Sequence, residues 1–516
     1  MSTDRRPTSI RTAARWILTP LIAFIAFVAW GFASPVGAGP DDDFHLASIW
    51  CANGGSIYCE PGSEWDTRVV SVGFKKPFCF VAQAEESAAC QVGSWPKPGG
   101  ETFETDRGNF YGEYPPVYYA TMRLLAGPDV EVSAMTMRIL NAALVVGLAT
   151  ALAALLPVAR RRTLLWGWLV ALVPLGMFII PSNNPSGWAL MGIGTAYLAL
   201  LGWFETVGRR RWALGALYLV GVLMAAGARG DAAVYVIGAT GIVMLLTIAK
   251  ERSWLLGAIL PAMGLIIAGV FFATSGQAVL ATPDASGGSE LSLSGQGVGL
   301  VDGSAGDDPV GRPTGFALAA YNLLMLPFVW TGVWGTWGLG WLDTMMPAVV
   351  PWAAAAAFIV VAFAGLGLMT WRKAISVAGV LAVLVVLPVY VLTVDHYMVG
   401  EHLQPRYLLP LITLLAFVLV TEPGGRLLRF TRIQTFAILG ALVIANTIAL
   451  HMNIRRYVTG ADQQGPNLDA GAEWWWDGFV TGPSGLWIIG SLAFAGMLVL
   501  LWPELRRTDE VLQTVR

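Results

Sequence analysis

Long stretches of apolar residues follow one another along this chain, separated by short polar connections, and within each stretch the residues are continuously apolar rather than apolar at every second position. Runs of roughly twenty apolar residues are long enough to cross a hydrocarbon core of about 30 Å as α-helices. Continuous runs also disfavour a membrane barrel, whose strands alternate between lipid-facing and lumen-facing side chains. The pattern predicts about twelve spanning helices by this length criterion. They lie near 14–31, 134–159, 164–180, 188–206, 212–226 and 232–248, then near 254–273, 348–370, 375–394, 407–420, 436–451 and 486–502. The stretch Phe316–Trp334 is also apolar but is interrupted by Pro327, and it reads as an interfacial or re-entrant helix.

Composition sharpens this into a membrane assignment. Hydrophobic residues make up 55% of the 516, charged residues 13%, and the mean hydropathy is +0.61. A soluble domain carries about 25% charged residues, so this chain could not cover a water-facing surface. The net charge of −2 says little, but the placement of the charges says more. Alternate connections carry Arg5, Arg6, Arg11 and Arg15, then Arg160–Arg162, Arg209–Arg211, Lys250 and Arg252. Further along come Arg372 and Lys373, Arg426, Arg429 and Arg432, and Arg506 and Arg507. The positive-inside rule makes all of these connections cytoplasmic, together with both termini. The expected fold is therefore an all-α polytopic membrane protein with a small disulfide-stapled exterior loop domain, sited in the plasma membrane.

The same reading divides the chain. Residues 1–35 form the cytoplasmic N-terminus and first span, and 36–133 a first exterior loop with an acidic motif and an interfacial helix. Residues 134–274 hold spans two to seven, and 275–347 a flexible exterior loop with the interfacial or re-entrant helix. Residues 348–502 hold the remaining spans and an exterior loop at 453–485, and 503–516 a cytoplasmic tail. All four cysteines, Cys51, Cys59, Cys79 and Cys90, fall in the first exterior loop. An even count on the oxidising side points to two disulfides, and proximity in sequence favours Cys51–Cys59 and Cys79–Cys90 among three possible connectivities.

Candidate chemistry gathers at the exterior ends of the helices. Span interiors are nearly free of ionisable residues, which argues against an ion- or proton-coupled transporter. Asp41, Asp42 and Asp43 follow the first span directly. Acids at a helix start can cap amides, but three adjacent carboxylates tethered against the membrane also suit a general base, or, through Asp42 and Asp43, a divalent cation. Arg138, Arg229, Arg406, Arg455 and Arg456 lie at the same ends, where a planar guanidinium suits a lipid phosphate. The plainer reading of any one of them is snorkelling or a local ion pair, such as Arg229 with Asp231. His45, His396, His402 and Glu401 are also exterior, without zinc-ligand spacing. No phosphate-binding glycine loop or dinucleotide fingerprint is present, and no nucleic-acid partner is expected.

Two families share these motifs. Pro40-Asp41-Asp42-Asp43-Phe44-His45 resembles the acidic motif of class C glycosyltransferases, and Tyr114-Pro115-Pro116-Val117-Tyr118-Tyr119 is similar to a Pro-Pro-aromatic segment in many of those enzymes. Gln404-Pro405-Arg406-Tyr407-Leu408-Leu409-Pro410 resembles the Gly-Arg-Tyr-x-x-Pro signature of the membrane family catalogued as domain of unknown function 2142, with Pro405 where that family usually has glycine. Gly340-Trp341-Leu342-Asp343-Thr344 resembles another of its segments. The resemblance implies a transferase that moves a sugar from a polyprenyl-phosphate donor to a glycan or glycolipid acceptor outside the cytoplasm. It implies a base among Asp41, Asp42 and Asp43, with Asp42 slightly favoured, and donor-phosphate binding by Arg406, Arg229 and Arg455, with Arg456 and Arg138 as further candidates. His45, Tyr114, Tyr407, Glu401, His402 and Asp343 would line the substrate. A divalent metal is possible in that chemistry, and the sequence does not decide on one. The Ala-, Val- and Arg-rich, Lys-poor composition resembles that of actinobacterial proteins, with arabinose- or mannose-type envelope polymers as candidate acceptors. The rival functions are a lipid-linked glycan flippase or transporter, and a non-catalytic scaffold for envelope assembly.

Overall fold

A computed structural model describes residues 10–55, 57–276, 312–422 and 428–506, which hold seventeen α-helices, four short 3-10 helices and one small sheet. The expected cytoplasmic residues Arg5, Arg6, Arg426 and Arg507, and most of the expected flexible loop, lie outside the described residues, as does the side chain of Arg11.

Helix α1 (Ile10–Phe32) leads into α2 (Asp42–Cys51), and α3 (Val117–Arg123) closes the long segment that follows. Next come α4 (Val130–Leu155), α5 (Val158–Leu172), α6 (Leu175–Ile179), α7 (Pro185–Glu205), α8 (Gly208–Ala226) and α9 (Gly230–Thr247). The centre of the chain holds α10 (Arg252–Gly257), α11 (Ile259–Thr274), α12 (Gly315–Gly332) and α13 (Val349–Leu366). The last four are α14 (Trp371–Val394), α15 (Pro405–Val420), α16 (Arg432–Val458) and α17 (Pro483–Leu505). Among the described residues, ten helices are long and apolar enough to cross a membrane, α10 and α11 counting as one. The predicted spans at 164–180, 212–226 and 407–420 fall short of that standard for local reasons. Pro174 divides the first into α5 and α6, Arg209–Arg211 begin the second, and the third, α15, has only 16 residues.

Local chemistry sets several boundaries. Asp129 caps α4 by accepting from the Val132 amide, Asn184 caps α7 ahead of Pro185, and Thr431 with Gln434 forms a capping box at the start of α16. Gly192 on α7 and Gly221 on α8 let these two helices touch backbone to backbone. A Cβ at Gly192 would lie 2.5 Å from the Ala225 nitrogen, and one at Gly221 would lie 2.7 Å from the Ala196 nitrogen.

The basic connections gather at one end of the bundle. There Arg160 pairs with Glu205, Arg161 with Glu504 and Arg162 with Glu422, while Lys373 donates to the carbonyls of Gly365, Leu419 and Thr421. The opposite end carries the segment between α1 and α4. Helix α12 belongs to that end: Asn322 bonds to the backbone of Tyr397 and Val399, and the stretch after α12 returns Trp341 to the Gly37 carbonyl. Although α12 is long enough to cross, it leaves from and comes back to one end, and the alternation of the other helices is unaffected.

All sixteen residues of α15 are buried, so this helix is the axis of the bundle, packed by α5, α7, α13 and α14. At 1.5 Å per residue it is about 24 Å long, shorter than a hydrocarbon core of about 30 Å, and its first turn begins at Pro405. Arg406 is in that turn. The segment between α1 and α4 holds three antiparallel strands, β1 (Cys59–Pro61), β2 (Arg68–Ser71) and β3 (Thr102–Thr105), with Cys59 opposite Val70 and Val70 opposite Phe103. The disulfides are Cys51–Cys59 and Cys79–Cys90, the pairing that proximity favours.

Candidate functional site

The three aspartates sit at one turn yet face three different environments. Asp41 adopts left-handed backbone geometry, with φ at 57° and ψ at 23°, and its carbonyl accepts the Phe44 and His45 amides at 3.0 and 2.9 Å. Such a conformation costs a non-glycine residue about 1–2 kcal/mol, although Asp and Asn tolerate it best. It is held by outside contacts: Asn184 donates to the Pro40 carbonyl at 2.7 Å, and Trp341 donates to the Gly37 carbonyl at 2.9 Å. The result points the Asp41 carboxylate across the bundle, where Oδ2 meets Nη2 of Arg406. Its Oδ1 lies 4.0 Å from Arg107 and has no hydrogen-bond partner among the described residues.

Asp42 turns the other way. It is fully buried; Oδ2 accepts from the Gly37 and Gly39 amides at 3.2 and 3.0 Å and lies 3.9 Å from Arg138. A Cβ on Gly39 would stand 2.6 Å from Oδ1, so this carboxylate fills the space that the glycine leaves. Asp42 therefore folds the turn and is closed to substrate, a correction to its place as the favoured base. Burial pushes its carboxyl up to about 7, against Arg138 and the two amides, which pull it down. An acid bound more tightly by its proton when folded contributes stability that is complete below its unfolded value of about 3.8 and is lost as pH rises through about 7. Replacing Asp42 with Asn should thus flatten the decline in thermal midpoint between about pH 5 and pH 8. Parallel declines in the two proteins would show that Asp42 does not carry this dependence.

Asp43 is held bidentately by Arg107, with Nε to Oδ2 at 2.5 Å and Nη2 to Oδ1 at 2.9 Å. With Asp42 on Arg138 and Asp43 on Arg107, the two carboxylates do not converge on a common cation position. Among the described residues, no group of three or more His, Cys, Asp or Glu is placed to hold a metal ion.

Two of the five singled-out arginines join Asp41. Arg406 and Arg229 sit over the ring of Tyr407, at 4.9 and 4.7 Å from its centroid, and Arg229 also lies 5.6 Å from the Tyr114 centroid. Arg229 is satisfied by Asp231, through two bonds of 2.9 Å, and reaches Ser186 at 3.3 Å. Arg406 is not satisfied. Its Nη2 serves both Asp41 and the Tyr407 hydroxyl, while Nε and Nη1 are buried without a partner. His45 is buried beside them, its Nδ1 2.9 Å from the Tyr119 hydroxyl. Burial, with the charges of Arg406, Arg229 and Arg107, holds its imidazole well below the usual range and hence neutral.

The other three arginines are consumed by structure. Arg138 donates to the carbonyls of Gly31, Ser34 and Pro35 at 2.9, 2.7 and 2.8 Å and to Asn183 at 2.9 Å, closing the end of α1. Arg455 holds the carbonyls of Gly465 and Asn467. Arg456 holds those of Phe80, Gln83 and Glu86, together with the carboxylate of Asp343 at 2.7 Å. In this structure Arg138 caps the end of α1, Arg456 with Asp343 clasps the segment between α1 and α4, and Arg455 holds the loop between α16 and α17. Glu401 pairs with Arg312, and His402 stacks on Tyr397 at 3.6 Å, both on the link between α14 and α15. Replacing Arg138 with Met removes a charged donor from three carbonyls, a loss on the order of 3 kcal/mol, limited because Asp42 can take up a proton. The expected result is a clear drop in the thermal midpoint of the detergent-solubilised protein. Ligand affinity in the folded fraction should be unchanged.

Arg107, Tyr119 and Ser186 complete the cluster and were not among the residues expected from sequence. Arg107 stands in a polar loop with nothing in its neighbourhood to mark it. Tyr119 falls within the Pro-Pro-aromatic segment, the one signal that pointed towards it.

A family model described as Predicted membrane protein (DUF2142) matches residues 24–415. No curated protein and no solved structure matches the chain.

Proposed function

Starting from a chain that belongs to the DUF2142 family of predicted membrane proteins, we propose that it is a glycosyltransferase fed by a polyprenyl-phosphate sugar. The observation that carries this reading is the Arg406 guanidinium, buried with two nitrogens unpartnered beside a carboxylate that keeps one oxygen free. A buried donor left without a partner costs about 1–3 kcal/mol, more when charged. A phosphate oxygen would satisfy Nη1, on the edge that it shares with Nη2, through a charge-assisted hydrogen bond. The gathering of basic connections at the opposite end supports an extracytoplasmic site under the positive-inside rule.

The chemistry follows from the placement. Asp41 Oδ1 accepts the proton of an acceptor hydroxyl as its oxygen forms a bond to the anomeric carbon. The bond from that carbon to the phosphate oxygen breaks, and polyprenyl phosphate leaves with a second negative charge. Arg406 spans both events. As Asp41 gains its proton and loosens its hold on Nη2, the guanidinium can follow the charge that develops on the phosphate. Arg229, over the same tyrosine ring, adds positive potential. Neutral His45 stays beside them without adding a fourth cation.

Purified protein given a labelled polyprenyl-phosphate sugar and an envelope glycan fraction should release polyprenyl phosphate and label the glycan. Binding of the donor without turnover, across acceptor fractions of varied composition, would contradict the enzymatic reading and leave a carrier or scaffold.

A further inference from the structure

A cavity of about 830 Å³ lies between the end of α2, strand β1, the 109–120 stretch and Thr274 at the end of α11. That is within the range of about 300–1,000 Å³ typical of ligand sites. Tyr114 and Tyr119 belong both to its wall and to the cluster around Asp41, Tyr119 through His45 and Tyr114 beneath Arg229. The cavity and the candidate site thus share two tyrosines as a common wall.

Its lining selects against an anion. Arg68 is its one cationic side chain, and that guanidinium is already committed: Nη1 donates to the carbonyls of Trp65 and Thr67, and the group stacks on Phe110 at 5.5 Å. Glu60 and Glu64 offer carboxylates not engaged by any other described side chain. Trp65, 76% exposed, stands at the mouth edge-on to Tyr111 at 5.7 Å. Flat aromatic faces for stacking, free carboxylates for hydroxyl groups and no available cation together match a neutral polyol rather than a phosphate, sulfate or nucleotide. The Cys51–Cys59 disulfide forms part of the wall and fixes β1 against the end of α2. That gives the staple a functional purpose besides stability.

We propose that this chamber binds a neutral saccharide chain beside the site around Asp41, an inference that rests on the transferase reading for the chain's role as acceptor but not for binding itself. The test uses the full-length protein in detergent with a neutral linear oligosaccharide of four to six units carrying a photoreactive diazirine. Cross-linked peptides are mapped by mass spectrometry. Labelling is expected within 57–68 and 109–120, to be competed by unlabelled saccharide and to fall at least tenfold in Trp65→Ala and in Glu60→Gln/Glu64→Gln. A Phe363→Ala variant, altered on an exposed face of α13, should label as the parent does. Labelling that maps elsewhere, survives these changes or is competed equally by an anionic glycan overturns the proposal. Because cross-linking needs no donor, specific labelling without any transfer would sustain this inference while contradicting the transferase. Donor turnover without labelling here would do the reverse.

Discussion

Arg406→Lys is expected to lower kcat/KM for sugar transfer by about 10²–10³-fold while the protein keeps its thermal midpoint and elution profile. Lysine preserves one positive charge for Asp41, so the buried carboxylate is not left alone, and it occupies the first turn of α15 without strain. What it loses is the fork. Arg406 Nη1 is left for a phosphate while its edge neighbour Nη2 stays on Asp41 and Tyr407. An ammonium is a point charge and cannot hold base and leaving group in one plane. Removing one preorganised donor from a developing oxyanion costs about 2.7–4 kcal/mol, which sets the expected factor. Arg406→Ala would add a structural loss of about 3–5 kcal/mol by stranding Asp41, so lysine is the informative change. Initial rates alongside thermal unfolding would check this. Unchanged rates in a well-folded lysine variant would remove Arg406 from the chemistry.

Asp41→Asn should reduce turnover about 10²–10⁴-fold, the span general-base catalysis supplies, whereas Asp42→Asn should leave it within about tenfold. The contrast between neighbours is the substance of the prediction. Asparagine takes the left-handed geometry of position 41 at least as well as aspartate, so the turn survives and only the proton acceptor is lost. At position 42 asparagine can still accept from the Gly37 and Gly39 amides, and that side chain never meets substrate. A dead Asp42→Asn enzyme beside an active Asp41→Asn enzyme would reverse the assignment.

Much of the architecture was legible because lipid imposes a simple grammar of apolar length and basic connections. The side of the bundle on which each connection gathers follows from arginine placement alone. The pairing of the cysteines followed from proximity. Departures came where length failed as a guide. The axial helix α15 is buried by its neighbours on every side, so it needs no full bilayer span. Helix α12 is long enough to cross, yet it is the stretch that Pro327 marked as interfacial or re-entrant, and Asn322 and the Trp341 loop attach it to one end.

At the site, the acid cluster marked the right turn, but its members could not be ranked. Their difference is made by a left-handed φ at Asp41 and by the space over Gly39, neither visible in a run of three identical residues. The arginines show the same limit. Position at a helix end said where Arg138, Arg455 and Arg456 are, but not that backbone carbonyls had claimed them. Arg107 lies 64 residues from its partner Asp43 in a loop without periodicity, so only the folded chain brings them together.

The most direct test of the account is a density map of the protein with polyprenyl phosphate bound. The account predicts the phosphate within hydrogen-bond distance of Arg406 Nη1, with Arg229 and Tyr407 alongside and Asp41 Oδ1 facing the position the sugar would occupy. A phosphate seated instead on Arg138, Arg455 or Arg456, or at the basic end of the bundle with Arg406 still unpartnered, would contradict it.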